Sequence, residues 1–509
     1  MTALPPNATR WAGALSGFVA AAAAAATAEL LGRVLPGAVS PLLAVGRQVV
    51  ALTPAGIRQQ AIGTLGSGDK PTVLVGLLTV LALIGLAVGL VARHSQRLAA
   101  LAVATLAVVD GLAAASVPGS SPLVVGFAAA AAAAIGIVTL RALLITARAG
   151  VQDIDEGRRT FLISALAVSL GAALALTISR VAAVADSVEG LRRRIRLPRP
   201  RHVAPPVPID ATFEQEGLTP LVTPTAQLYR VDTAFEVPQL DPRTWTLRIG
   251  GLVRHELVFS YADLQALPQT EAYLTLGCVG NEVGGPLIGT PRWQGPLLAD
   301  LLRKAGPLSS ATQLVGRSVD GYTGAFPLAV ALDGRTGLVA LGLNGTPLPV
   351  EHGFPARTVV AGLYGYESAV KWLTELSLVE DSFDAFWVSR GYARYAPFRT
   401  SSRIDVPADG ATLAAGPVSL AGMAWSPPRG IRAVQVSVDG RAWEEAELPR
   451  SNLGPDAWIA WRWTWMASPG AHRLRVRAVD RSGVLQDGRR QSVLPDGATG
   501  YHSIGVVVS

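Results

Sequence analysis

Apolar positions in this chain fall into two regimes. Between Trp11 and Ser179 they form long runs with few interruptions. Beyond Pro208 they alternate with polar positions over short stretches. A helix needs about 20 apolar residues to cross a hydrocarbon core. Five segments approach or exceed that length: Trp11 to Leu31, Thr72 to Ala92, Leu98 to Val117, Leu123 to Leu140 and Phe161 to Ser179. They are apolar on every face, which suits lipid better than the one-sided stripe of a surface helix. The stretch Pro41 to Leu65 is broken by Arg47, Arg58 and Gln59, and reads as an interfacial segment or a loop.

Basic residues orient these segments. Arg10 precedes the first. Arg93, His94 and Arg97 separate the second and third. Arg141, Arg148, Arg158 and Arg159 separate the fourth and fifth. With five passes all three sets share one side, and basic loops mark the cytoplasmic side. Everything after Ser179 is then expected outside. The cluster Arg192, Arg193, Arg194, Arg196, Arg199 and Arg201 stands there against the charge rule, either facing lipid headgroups or as a solvated linker. Arg158-Arg159-Thr160-Phe161-Leu162 resembles the twin-arginine export signal, which carries folded passengers across bacterial membranes. A passenger exported folded is exempt from a rule that governs short loops. The expected placement is a bacterial cytoplasmic membrane, multi-pass, with the C-terminal half extracytoplasmic. Asp110, inside the third segment, reads as a hydrated carboxylate near the outer surface. His94 is the single histidine of the membrane half and falls in a loop, so no haem is expected there.

The chain is therefore multi-domain: a transmembrane α-helical region over 1–190, a basic and proline-rich linker over 191–227, an α+β domain over 228–400 and a β-sandwich over 401–509. In the third part, Thr244 to Ile249 and Ala272 to Leu276 read as strands, and Ser260 to Leu267 and Pro296 to Lys304 as short helices. In the fourth, Ala433 to Val438, Trp458 to Trp465 and Arg473 to Val479 are strands bounded by turn signals such as Asp439-Gly440.

Composition adds little until the cysteine is reached. Mean hydropathy is +0.36, raised by the membrane half, and the net charge of +7 owes much to the arginine cluster at 192–201, so nucleic acid is not an expected partner. Cys278 is the single cysteine, which excludes an intrachain disulfide. It is either a small buried hydrophobe or a reactive group. Its setting, Leu276-Gly277-Cys278-Val279-Gly280-Asn281-Glu282-Val283-Gly284-Gly285, favours chemistry: glycines let backbone approach a bulky ligand, and the preceding apolar run leaves the thiol at a strand end.

That decapeptide, with Arg292-Trp293 after it, resembles the cofactor-binding core of the sulfite oxidase family of molybdenum enzymes. The likeness runs from about Leu228 to the C-terminus. It implies a molybdopterin domain followed by an immunoglobulin-like dimerisation domain, hence a possible homodimer. It implies that the Cys278 thiolate is the protein's ligand to molybdenum, beside two sulfurs of a pterin dithiolene. A cofactor inserted in the cytoplasm also asks for folded export. Three further motifs resemble family counterparts. In Tyr229-Arg230-Val231-Asp232-Thr233 the arginine would lie near the metal, and Tyr229, Asp232 and Thr233 against the pterin. In Glu351-His352-Gly353-Phe354-Pro355-Ala356-Arg357, His352 and Arg357 resemble pterin and phosphate contacts. In Gly362 to Trp372, Lys371 resembles another. Ser318 and Asp320 are expected in the same pocket, and Tyr392, in Trp387 to Tyr392, beside the metal.

The reading is a molybdenum-cofactor oxidoreductase acting on a small molecule, with a cytochrome or quinone as electron partner and membrane lipid around its anchor. Sulfite oxidases proper carry an arginine five residues beyond the metal cysteine, where this chain has Val283. Weak sulfite oxidation and a preference for a less charged S- or N-oxide are therefore expected, unless Arg429 or Arg432 reaches in. The alternatives are a hydrolase using Cys278 with His352 and a non-catalytic membrane-tethered binding module. The topology has its own test. Protease added to intact spheroplasts is expected to digest the chain beyond about Arg192; protection of that half would mean an inverted or miscounted topology.

Overall fold

The computed structural model describes residues 6–35, 38–54, 69–117, 120–149, 188–234, 236–380 and 383–509, with isolated positions 57, 163, 166, 167 and 171. It comprises two compact units: Met1–Ser187 with Thr233–Val237, and Val188–Asp232 with Pro238–Ser509.

In the first unit the described helices are Pro6–Val34, Pro41–Leu52, Asp69–Ala92, Gln96–Ala115 and Pro122–Ala149. Among the described residues four stretches are long and apolar enough to cross a membrane: Trp11–Val34, Thr72–Ala92, Gln96–Ala115 and Pro122–Thr146. The fifth expected segment lies almost wholly outside the described residues, as do Arg158 and Arg159. The first part of Pro41 to Leu65 is a helix whose N-terminus is capped by Ser40, and the Ser40 hydroxyl in turn donates to Glu29 at 2.7 Å.

Two glycine pairs set how closely the long helices approach. Gly13 and Gly17 share one face of Pro6–Val34, and Gly85 and Gly89 share one face of Asp69–Ala92, because residues four apart stack along a helix. A Cβ at Gly17 would strike the Gly85 carbonyl, and one at Gly89 the Gly13 carbonyl. The helices thus meet backbone to backbone. In lipid, where no hydrophobic force drives helices together, such contact by small residues is a main source of cohesion.

The second unit has two lobes. The first is built on a five-stranded mixed sheet in the order Leu257–Ser260, Thr246–Gly251, Leu373–Val379, Gln313–Ser318, Thr323–Pro327, with Thr246–Gly251 and Leu373–Val379 parallel. Strand alternation places Leu247 and Ile249 inside and Thr246 and Arg248 outside. The helices Tyr261–Ala266 and Leu298–Ala305 bury Leu264, Leu298 and Leu302. A second sheet runs Thr346–Pro347, Gly342–Leu343, Arg292–Gly295, Thr270–Tyr273. A small hairpin, Leu276–Gly277 against Ile288–Gly289, projects the loop 278–287. The proline-rich stretch is extended but not free: His202 bridges to Thr270, and the Pro198 carbonyl accepts from Gln294 at 2.7 Å.

The second lobe is a β-sandwich. One sheet holds Ser401–Val406, Gly416–Trp425 and Ile459–Ala467; the other runs Thr412–Leu413, His502–Val508, Gly470–Asp480, Ile431–Val438, Glu444–Glu445. Leu420, Trp461, Val436, Leu474 and Val476 meet in the core between them.

One core position is chemically odd. Glu367, on the short helix Gly365–Ser368, is 1% exposed. One carboxyl oxygen accepts the Ala396 N–H at 3.1 Å, and the other has no partner among the described residues. Burial pushes its pKa from 4.5 up to about 9, so the side chain is a neutral acid at pH 7.

Two tests follow from this packing. Gly17→Leu is expected to force the two glycine-faced helices apart and to lower the thermal stability of the detergent-solubilised protein, whereas Gly76→Leu, at a site with open space around it, is expected to change little. Equal effects would refute the close-contact role. For Glu367 the raised folded pKa means that the folded state holds a proton the unfolded state releases above pH 4.5. Its contribution to stability is complete below that pH and is lost as pH rises through about 9. Glu367→Gln is expected to flatten the fall in melting temperature between pH 5 and 9; an unchanged slope would show that Glu367 titrates normally.

Candidate active site

Cys278 opens the loop 278–287, and the loop is braced internally. The Cys278 N–H donates to the Leu287 carbonyl at 2.9 Å, the Asn281 N–H to the Cys278 carbonyl at 3.0 Å, and the Leu287 N–H to Asn281 Oδ1 at 2.8 Å. The Gly280 N–H points at Cys278 Sγ from 3.4 Å. The sandwich lobe then clasps the far side. Arg403, paired with Asp405 at 2.6 Å, donates to the Gly285 carbonyl at 2.9 Å. The His502 ring lies where a Cβ on Gly284 would be, and Gly284 has φ +84°. His502 Nδ1 accepts the Ile404 N–H at 3.0 Å, which fixes the ring.

The thiol keeps a partly exposed edge on a small open pocket, whose walls include Val283, Tyr364, Phe398, Arg399 and Trp425. Elsewhere protein surrounds the sulfur. Burial pushes the Cys278 thiol up to about 11, against a small opposing pull from the Gly280 N–H.

A cationic hollow adjoins it. Lys371, buried, donates to Asp232 at 2.8 Å and to the Glu351 carbonyl at 3.3 Å. Arg230 reaches the same Asp232 oxygen at 2.8 Å. Arg357 is buried and among the described residues donates only to the carbonyls of His352, Ala369 and Thr358, at 3.1, 3.4 and 3.5 Å, with its guanidinium 5.0 Å from the Trp293 ring. No carboxylate pairs with Arg357 among the described residues. Burial lowers Arg357 to about 10 and Lys371 to about 8, the latter partly offset by Asp232, so both stay charged at neutral pH. His352 is held down to about 3, first by burial and then by Arg357, Lys371 and Arg230, and is neutral. Three cations thus face one carboxylate. Burial raises the Tyr229 phenol, Cys278 adds to that rise and Arg357 opposes it.

This donor set fits a phosphate-bearing pterin. A buried cation lacking a counter-charge is costly, and an anionic ligand supplies one. Arg357, Lys371 and His352 would hold its anionic end, and Cys278 its metal. Among the described residues no cluster of three or more His, Cys, Asp or Glu side chains could hold a metal without such a cofactor.

Of the other expected residues, Ser318 and Asp320 are buried in the turn before Tyr322, whose N–H donates to Asp320 at 3.1 Å. Neither Ser318 nor Asp320 lines the Cys278 pocket. Thr233 begins the loop that groups with the helical unit. Tyr392 is buried against Tyr366 and Trp387, at ring distances of 5.6 and 5.5 Å, and does not line the Cys278 pocket. Neither Arg429 nor Arg432 lines it either: Arg429 pairs with Asp480 at 2.7 Å and Arg432 is exposed. Sequence reasoning missed Arg399, Trp425, Arg403 and His502. No spacing or period marks them, since only tertiary folding brings them to loop 278–287.

Comparison with known proteins agrees with this geometry. The sequence profile of the oxidoreductase molybdopterin binding domain matches residues 234–387. Mitochondrial sulfite oxidase of Mus musculus is 33% identical over 345 residues, which is 58% of this chain and 62% of that protein. The chain thus spans about three fifths of that relative's length. The uncharacterized oxidoreductase YuiH of Bacillus subtilis is 33% identical over 180 residues, covering 35% of this chain and 88% of YuiH. Among solved structures, the sulfane dehydrogenase SoxCD of Paracoccus pantotrophus superposes with a TM-score of 0.50 at 24% identity, over 56% of this chain and 80% of that one, a likeness of fold. With a cysteine loop, a cationic hollow and relatives of this kind, the chain belongs to the sulfite oxidase family of molybdopterin-dependent oxidoreductases.

Proposed function

We propose that this protein is a membrane-anchored molybdenum-cofactor oxidoreductase that transfers an oxygen atom to or from a small sulfur- or nitrogen-containing substrate outside the cytoplasm. The observation that carries the reading is the buried Arg357, which has no carboxylate partner among the described residues, in the same lobe as the partly exposed thiol of Cys278. The bound cofactor would supply two-electron oxygen-atom transfer at molybdenum. The chain's own part is positional and electrostatic. Arg357, Lys371 and His352 would orient the pterin, with Ser318, Asp320, Tyr229, Asp232 and Thr233 along it. Arg230 would stand near the metal, with Tyr392 behind the pocket wall. Phe398 and Trp425 would restrict water at the thiol. Electrons would pass to or from a cytochrome or quinone, and the immunoglobulin-like sandwich would mediate a homodimer. The twin-arginine pair would serve export of the loaded domain.

The hydrolase reading fares worse on the same geometry. The recorded partner of Cys278 Sγ is the Gly280 amide, not an imidazole. A thiol raised to about 11 and a histidine lowered to about 3 make a weak nucleophile and a weak base. The purified protein is expected to contain about one molybdenum per chain by elemental analysis, the stoichiometry of a single thiolate site. Cys278→Ser is expected to remain folded and lose activity, because serine offers a hard oxygen where the metal takes a soft sulfur. Molybdenum-free active protein, or a fully active serine variant, would sink the reading.

A further inference from the structure

The pocket at Cys278 holds an arginine that no motif marked. Arg399 lines its wall together with Val283, Tyr364, Phe398 and Trp425. Its guanidinium is tethered on one side only. Nη2 bonds the Asp496 carboxylate and Nε reaches the Asp496 carbonyl at 3.5 Å, while Nη1 makes no hydrogen bond among the described residues. Tyr364 shares this wall with Arg399 and Cys278, and its ring is stacked on Phe398 at 4.5 Å between centroids. Asp496 is held independently, since Gln491 donates to its other oxygen at 2.8 Å.

We propose that Arg399 is the specificity-determining residue of this pocket, binding a singly charged anionic group on a substrate whose remainder is apolar. The proposal rests on the oxygen-atom-transfer reading above and names its substrate class. The physical grounds are these. The free Nη1 edge offers a charge-assisted donor to a sulfonyl, sulfinyl or carboxylate oxygen. The rings of Tyr364, Phe398 and Trp425, with Val283, give an apolar body a place to sit. A dianion is disfavoured, because Asp496 already offsets part of the arginine's charge and Glu282 also lines the pocket. The cation that Val283 does not supply thus comes from Arg399, restrained by Asp496. An organic sulfinate, or a sulfoxide bearing one carboxylate, has this charge and shape.

The test is calorimetric titration of the detergent-solubilised full-length holoenzyme with methanesulfonate, an anion, and dimethyl sulfone, its neutral near-isostere. Arg399→Gln is expected to weaken methanesulfonate binding about tenfold to a hundredfold, the span of one charge-assisted hydrogen bond, while dimethyl sulfone binding changes by less than about twofold. Asp496→Asn removes the competing carboxylate and is expected to tighten methanesulfonate binding about threefold or more; misfolding cannot mimic a gain. Three outcomes would overturn the proposal: no methanesulfonate binding to the unaltered protein, equal weakening of both ligands by Arg399→Gln, or unchanged or weaker anion binding in Asp496→Asn. Molybdenum is assayed on the same preparations. Metal-free protein with Arg399-dependent anion binding would overturn the proposed activity alone; loaded protein whose anion binding ignores Arg399 would overturn this proposal alone.

Discussion

A guanidinium buried with no carboxylate partner among the described residues is the constraint around which the catalytic unit is organised. Arg357 spends its donors on backbone carbonyls and its flat face on Trp293. Carbonyl dipoles and a π face soften the cost of burying that charge but do not remove it. Lys371 and Arg230 converge nearby on a single aspartate, so the protein concentrates positive charge where it has little of its own to neutralise it. Such a hollow is pre-organised for an anion that the chain does not encode. Burial first, and then the same surplus, keep His352 neutral, so that its ring can hydrogen-bond as donor and acceptor rather than as a further cation.

The second dependence is mechanical. Loop 278–287 carries the thiol on a hairpin of two very short strands, too small to be rigid alone. Its internal bonds to Leu287 and Asn281 give it shape. Its position comes from elsewhere, through Arg403 on Gly285 and His502 on Gly284, both from the sandwich. The pocket beside the thiol is composite in the same way. Val283 comes from the loop, Tyr364 from the turn ahead of a short helix, Arg399 from the junction between lobes and Trp425 from a sandwich strand.

What was legible in the sequence follows this division. Apolarity on all faces is a local property, so the membrane helices could be read without tertiary knowledge; the four described spans overlap the first four expected segments. The helices Tyr261–Ala266 and Leu298–Ala305 and the three sandwich strands were legible for the same reason, whereas the single strand expected over Ala272 to Leu276 is split between Thr270–Tyr273 and Leu276–Gly277, which pair in different sheets. His352, Arg357, Lys371 and Asp232 could be named because ordered motifs carry a family resemblance, and the fold gathers them. Arg399 and His502 could not, because their neighbours lie far off in sequence and neither sits in a recognisable pattern. Arg429 and Arg432, named as possible substitutes for the cation missing at Val283, do not line the pocket. Arg429 is consumed by Asp480, Ser426 and Thr400. The glycine faces of the first two long helices were plain in the letters but invisible as contacts, since which helices adjoin is a tertiary fact.

The contact between Gly284 and His502 has a consequence for how such a protein can change over time. A residue with only hydrogen for a side chain is pressed by a ring from the last strand of the chain, so the two positions cannot drift separately. Any lineage that replaced the sandwich with another module would lose the surface that seats the thiol loop. Any lineage that enlarged residue 284 would have to reshape the sandwich at the same time. In this chain the two positions are therefore coupled, although they are more than two hundred residues apart.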